Sequence, residues 1–250
     1  MIELKSPEEI KKIFRASQIV AELLQELKGR VKAGVTTKEL DLYAKKKILK
    51  NGAVPAFLGY RGFPATLCVS VNDEVVHGIP SSKRVLHDGD IVGLDLGVVV
   101  DGFYGDAALT VPIGNVSSEA LRLLRVTEEA LYAGIEQAQV GGRLTNISHA
   151  VQEHAEASRF SVVTEFVGHG IGRALHEEPQ VPNFGPPGQG VRLRVGMVLA
   201  IEPMVNMGKS DVRVLEDQWT AVTVDGSLSA HFEHTVAITK DGPKILSRIA

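Results

Sequence analysis

Hydrophobic and polar positions alternate along this chain with two periods. Ile10, Ile13, Phe14, Ser17, Val20, Ala21 and Leu24 keep the spacing of one helical face. Ahead of them, Ser6-Pro7-Glu8-Glu9 joins an N-cap serine, a proline at the first helical position and a glutamate three residues after the cap, so a helix is predicted to about Gly29. Thr36-Thr37-Lys38-Glu39 repeats the capping pattern, and Asn51-Gly52 supplies the stop of a second helix. Two more helical stretches follow, at about 117–140 and 144–158.

The segments near 66–71, 91–111, 161–168, 197–205, 212–224 and 230–239 are rich in Val, Ile, Thr and Phe and are bounded by Gly, Pro or Asp, which predicts strands. Helices in pairs and strands in groups give an α+β fold, with a mainly antiparallel sheet covered by helices on one face. A weak internal repeat adds to this. Gly89 to Asp95 and Gly196 to Glu202 each place an acid six residues after a glycine, and His77-Gly78-Ile79 and His169-Gly170-Ile171 precede them. Two related halves, about 1–111 and 112–250, are expected to close on a shared cleft within one catalytic domain.

Strand parity tells what surrounds each acid, because successive side chains point to opposite faces. Asp95 shares its face with Gly93 and Gly97, with Leu94 and Leu96 behind; Asp106 stands with Tyr104, Ala108 and Thr110. Glu202 stands with Ala200 and Met204, and Glu233 with His231 and Thr235. A two-residue loop around Asp101 puts Asp95 and Asp106 on one face, directly or diagonally opposed. Any one of these acids alone reads as a solvated surface residue. Four on apolar-backed strands need cations.

Composition narrows the class. A chain of 250 residues that is 44% hydrophobic can bury a real core. It carries no apolar run of membrane-spanning length and no secretory signal at its start, so a cytoplasmic, membrane-free protein is expected. Cys68 is the single cysteine, which leaves no intrachain disulfide and no thiolate metal cage. A net charge of −3 gives no pull toward nucleic acid, and Lys45, Lys46, Lys47 and Lys50 read as a solvated helix face.

With His169 in GHGIGRALHEEP, the acids make a five-ligand set of oxygen and nitrogen donors: Asp95, Asp106, His169, Glu202 and Glu233. One zinc ion usually takes four ligands and favours Cys or His, whereas shared carboxylates suit a pair of Mn, Fe or Co ions. Such a pair activates water and polarises a carbonyl, so the chemistry is hydrolysis. His77 and His176 remain to hydrogen-bond the substrate or a developing oxyanion. His231, on the Glu233 face, is placed behind the ligands; His149 and His154 are five apart and share no helix face.

The stretches NDEVVHGIP (72–80), the 91–111 hairpin, GHGIGRALHEEPQV (168–181), GMVLAIEPMVN (196–206) and SAHFEHT (229–235) together resemble the type I methionine aminopeptidases of the bacterial cytosolic kind. The resemblance runs over essentially the full length. It implies the pita-bread fold, a pseudo-twofold pair of αβ halves around a curved antiparallel sheet, and removal of the initiator methionine from new chains. It also implies that Asp106 and Glu233 bridge the two metals, that Glu202 accepts the proton of the attacking water, that His77 contacts the substrate backbone and that His176 stabilises the tetrahedral intermediate. The methionine pocket falls to Tyr60, Phe63, Cys68, His77, Leu175 and Trp219. Ala174-Leu175, where the family commonly has Gly-Phe, and Phe57, where a smaller residue is familiar, depart from the pattern and bear on pocket shape. Nascent N-termini are the implied partners, with a transient ribosome contact and a monomeric state. The rival readings are a prolyl-peptide hydrolase of the same fold and a binding module that has lost catalysis; all five ligands are present, which weighs against the latter.

Overall fold

The computed structural model describes residues 2–249. Four α-helices pack against antiparallel sheets: α1 Pro7–Lys28, α2 Thr37–Lys50, α3 Ser118–Glu136 and α4 Leu144–Ala157. Both capping boxes form. Ser6 Oγ accepts from the Glu9 amide at 3.3 Å while Glu9 Oε2 accepts from the Ser6 amide at 2.7 Å, and Thr36 and Glu39 reciprocate in the same way. α3 stops near Glu136, short of the expected 140, because the chain leaves the helix at Gln137 for a tight turn. α4 starts without a side-chain cap, Arg143 standing at its N-cap.

The principal sheet has nine strands, all paired antiparallel. Its backbone is the hairpin Ile91–Val100 and Phe103–Pro112, closed by Asp101 and Gly102, both at positive φ (50° and 76°), as a two-residue hairpin turn of right-handed twist requires. Beyond the hairpin the order continues through Glu233–Thr239, Val198–Ile201, Gly168–Gly170 and Glu177–Val181.

Several expected strands are shorter than the sequence pattern predicts. Pro203 ends one ladder, so the 197–205 run splits into Val198–Ile201 and Met204–Asn206. The 230–239 run likewise splits at Phe232, its first part, Ser229–His231, pairing with Met204–Asn206 in a separate small sheet. The 161–168 run is paired only at its two ends, Ser161 and Val162 at one and Gly168 at the other, where the short strand carrying His169 begins. The 212–224 run is a hairpin whose turn carries Trp219.

Two cores back the sheets. α1 and α2 bury Val20, Leu24, Leu40 and Ile48 against Leu67, Val92, Leu94, Leu96 and Val98. α3 and α4 bury Leu123, Leu131, Ile147 and Val151 against Leu199, Ile201, Val236 and Ile238. Each fully buried aliphatic side chain contributes roughly 2 kcal/mol from removal of apolar surface from water. The helix-side residues of the strands are 94 and 96, 199 and 201, 236 and 238, of opposite parity to Asp95, Glu202 and Glu233. The ligand face is therefore the one the helices leave open. Gly105 shows how closely α1 is seated: a Cβ there would lie 2.4 Å from the Ser17 amide nitrogen.

Candidate metal centre

Sheet register assembles the site. Asp95 pairs with Ala108, and Ala108 on its other side pairs with Glu233. One row along the strands, Gly97 pairs with Asp106, Thr235 with Ala200, and Ala200 with His169. Acids and imidazole thus alternate with Gly, Ala and Thr, whose small side chains leave a floor above which the ligands stand. Asp95 and Asp106 are diagonal neighbours. Thr235 clamps Asp106 by accepting from its amide at 3.2 Å and donating to its carbonyl at 2.7 Å.

Candidate ligand atoms of Asp106, His169 and Glu233 lie within 4.8 Å of one another. Glu202, just beyond its strand, places Oε1 3.4 Å from His169 Nε2. All five predicted ligands line one cavity of about 300 Å³, together with His77, His176, Tyr60, Phe63, Cys68, Leu175 and Trp219. Every residue read from the sequence as a candidate ligand, catalytic group or pocket wall lines this cavity, and both arms of the internal repeat deliver their acids to it. Phe57 joins them, its ring packed in the space that Gly97 leaves open: a Cβ on Gly97 would come within 2.7 Å of it. Sequence reading missed Arg61 and Phe166, which also line the cavity; both sit in aperiodic loops, where no hydrophobic pattern points inward. His154 lies elsewhere, against Glu129.

The electrostatics are those of clustered carboxyl groups with no cationic side chain beside them. Burial pushes Asp95 up to about 7. Asp106, Glu202 and Glu233 are raised well above the usual carboxylate range, by burial first and then by each other and Asp95. No lysine or arginine among the described residues pairs with any of the four. Asp95 Oδ1, Asp106 Oδ1 and Glu233 Oε1 are buried without a hydrogen-bond partner in the protein. Unpaired buried acceptors of this kind are uncommon because each forfeits its hydration. Burial and the neighbouring His176 lower His169 to about 3, so its approach to Glu202 is not an ion pair but two groups facing the same point. The Gly170 carbonyl, which can only accept, lies 2.9 Å from His169 Nδ1; that nitrogen carries the proton and Nε2 offers its lone pair to the cavity. Orphaned carboxylate oxygens and a lone-pair nitrogen converging on one point fit hard or borderline divalent cations.

The rest of the cavity is aromatic and histidine-rich. Phe63 meets Trp219 edge to face at 5.1 Å, and His77 stands edge-on to Phe166 at 5.4 Å. His77 adopts φ 62°, a strained conformation for a non-glycine residue that is held by its surroundings. Burial, then His176, lowers its pKa to about 4, so it is neutral at physiological pH. His176 lies against His169 with ring centroids 4.2 Å apart and planes tilted by 53°, and its Nδ1 lies 2.8 Å from the Tyr60 hydroxyl.

Residues 11–240 match the family model described as metallopeptidase family M24. The chain belongs to that family. M24 relatives over the full length include methionine aminopeptidase 1 of Bacillus subtilis, 55% identical with all of both chains covered. The crystal structure of methionine aminopeptidase from Thermotoga maritima superposes with a TM-score of 0.98 at 48% identity, covering 99% of this chain and 100% of that one. Prolidase from Pyrococcus furiosus shares the M24 fold with a TM-score of 0.81 at 22% identity; 98% of this chain covers 65% of that one. The pita-bread architecture expected of the sequence is the one these structures share. As an M24 metallopeptidase the protein is a metal-dependent hydrolase.

Proposed function

We infer that the protein releases the N-terminal methionine of new polypeptides, preferring chains with a small second residue. The observation that carries this reading is one cavity whose lining joins four largely buried carboxylates and the His169 lone pair with the apolar side chains of Phe57, Phe63, Phe166, Leu175 and Trp219. The full-length likeness to methionine aminopeptidases supports it.

In this reading Asp95, Asp106, His169, Glu202 and Glu233 would together hold two divalent ions, Mn, Fe or Co. When bound, the ions acidify a water molecule and polarise the scissile carbonyl. Glu202 accepts the proton of the attacking water. The aromatic end takes the unbranched thioether side chain of methionine, with Tyr60 and Cys68 completing the wall. His77 contacts the substrate backbone. His176 donates to the oxyanion from Nε2; in the tautomer this role requires, Nδ1 accepts from the Tyr60 hydroxyl 2.8 Å away. Burial, then Arg61, lowers the pKa of His176 and so favours the neutral ring. A small second residue is preferred because a bulky one would clash at the narrow approach to deeply set carboxylates.

The chain acts as one catalytic domain in the cytoplasm, as a monomer, on nascent N-termini and in transient contact with the ribosome. No helix among the described residues is long and apolar enough to cross a membrane. Incubating the metal-loaded protein with Met-Ala-Ser and with Ala-Pro peptides tests the assignment. Free methionine from the first alone is expected; cleavage at the prolyl bond instead would overturn it.

A further inference from the structure

One buried histidine belongs neither to the ligands nor to the cavity wall. His231 is only 4% exposed, and its Nε2 has no hydrogen-bond partner in the protein. That nitrogen lies 3.7 Å from Glu202 Oε2, while Oε1 of the same carboxylate faces His169 Nε2 at 3.4 Å. Glu202 is thus flanked by two imidazoles, one on the cavity side and one behind.

The backbone of His231 is fixed on both sides. Its amide donates to Thr110 Oγ1 at 3.0 Å, and the Thr110 hydroxyl donates to its carbonyl at 2.8 Å. Across the small sheet it pairs with Met204, two residues from Glu202. The ring therefore has a defined position relative to one oxygen of one carboxylate. A buried imidazole nitrogen with no partner is destabilising, and a carboxylate oxygen is the acceptor at hand. Bringing the pair together by about 0.5 Å would give ordinary hydrogen-bond length.

We propose that His231 is a positioning residue for Glu202: its Nε2–H donates to Oε2 and holds the carboxylate plane so that Oε1 is presented to the cavity. This rests on the reading that the cavity binds divalent ions and that Glu202 is one of their ligands. His231 touches neither substrate nor ions. It acts by fixing which oxygen of Glu202 is directed inward and which is held back.

The test uses the full-length protein and three variants. His231→Leu and His231→Met fill the space without a donor, and His231→Gln restores an N–H. Mn²⁺ affinity and stoichiometry are measured by titration calorimetry, and kcat and KM with Met-Ala-Ser at saturating Mn²⁺. Leu and Met variants are expected to lose roughly 10–100-fold in Mn²⁺ affinity or in kcat, as groups that orient ligands typically do. KM should hardly move, and Gln should recover most of the loss. Wild-type-like Mn²⁺ affinity and kcat in the Leu and Met variants would overturn the proposal; so would a Gln variant as impaired as Leu, which would make His231 a space-filler. Should Leu fail to fold, the comparison of Met with Gln decides. A wild-type protein that takes up no Mn²⁺ would instead defeat the underlying metal assignment.

Discussion

Removing divalent ions with a chelator leaves four buried carboxylates facing one another, and their linkage to protons fixes how stability must then vary with pH. All four have folded-state values above the ordinary carboxylate range. A raised carboxylate contributes stability that is fully present at acidic pH, below its unfolded value, and is lost as pH rises toward its folded value. The buried histidines act in the opposite direction. His77, His169, His231 and His234, lowered by burial to about 4, 3, 3 and 4, contribute stability above their unfolded value near 6.5 and lose it as pH falls through their folded values. Above pH 6.5 each of these histidines gains only about 0.4 kcal/mol more by pH 8, so the larger further change belongs to the carboxylates. Each one that still holds its proton gives up about 1.4 kcal/mol per pH unit. Asp95, at about 7, soon stops contributing, and each of the others, raised by burial, contributes for as long as it holds its proton. A single such group between pH 6.5 and 8 amounts to about 2 kcal/mol, or about 4–8 °C in melting temperature for a chain of this size. Differential scanning calorimetry of the stripped and Mn²⁺-loaded protein at both pH values measures this. The stripped protein should melt lower at pH 8, and the loaded protein should show little of that slope. A stripped protein whose melting temperature holds level or rises from pH 6.5 to 8 would refute the reasoning.

Three further predictions follow from individual residues. Asp106→Asn should cost more metal affinity and turnover than the roughly 10–100-fold typical of groups behind the ligands, yet the stripped variant should melt above the stripped parent at pH 8, since folding no longer requires a carboxyl of raised pKa to take up a proton there. Gly105→Val would drive a side chain into the α1 backbone at Ser17; a loss of about 3 kcal/mol or more is expected by urea titration, and a loss below about 1 kcal/mol would show that α1 can shift freely. Cys68, its thiol raised well above the usual range by burial and by Asp95, should resist iodoacetamide at pH 7.5 in the folded protein and react once unfolded, as mass spectrometry would show.

Local rules made much of this architecture legible in the sequence. Ser6, Pro7 and Glu9 announce α1 through hydrogen bonds that span only three residues, and the period-two pattern of 91–111 places Asp95 and Asp106 on one face without any knowledge of the partner strands. What sequence could not display was where ladders break. Val198 to Val205 reads as one apolar run, yet Pro203 diverts the chain between two sheets, and Phe232 does the same beside His231. Parity still placed His231 near the acids, although it and Glu233 belong to different sheets, because one strand ends at His231 opposite Met204 and the next begins at Glu233 beside Ile201, so both residues meet Glu202. Arg61 and Phe166 were invisible for a different reason. Their loops have no repeating pattern, and only the folded chain brings them to the cavity. The methionine pocket residues came from family resemblance rather than periodicity, since Tyr60, Leu175 and Trp219 lie on turns whose direction no hydrophobic pattern specifies.

The measurement that bears most directly on this account is anomalous diffraction at the manganese edge from crystals of the Mn²⁺-loaded protein. Two peaks roughly 3.5–4 Å apart, within reach of Asp95, Asp106, His169, Glu202 and Glu233, are predicted. Peaks confined to the protein surface, or none in the cavity at saturating Mn²⁺, would contradict it.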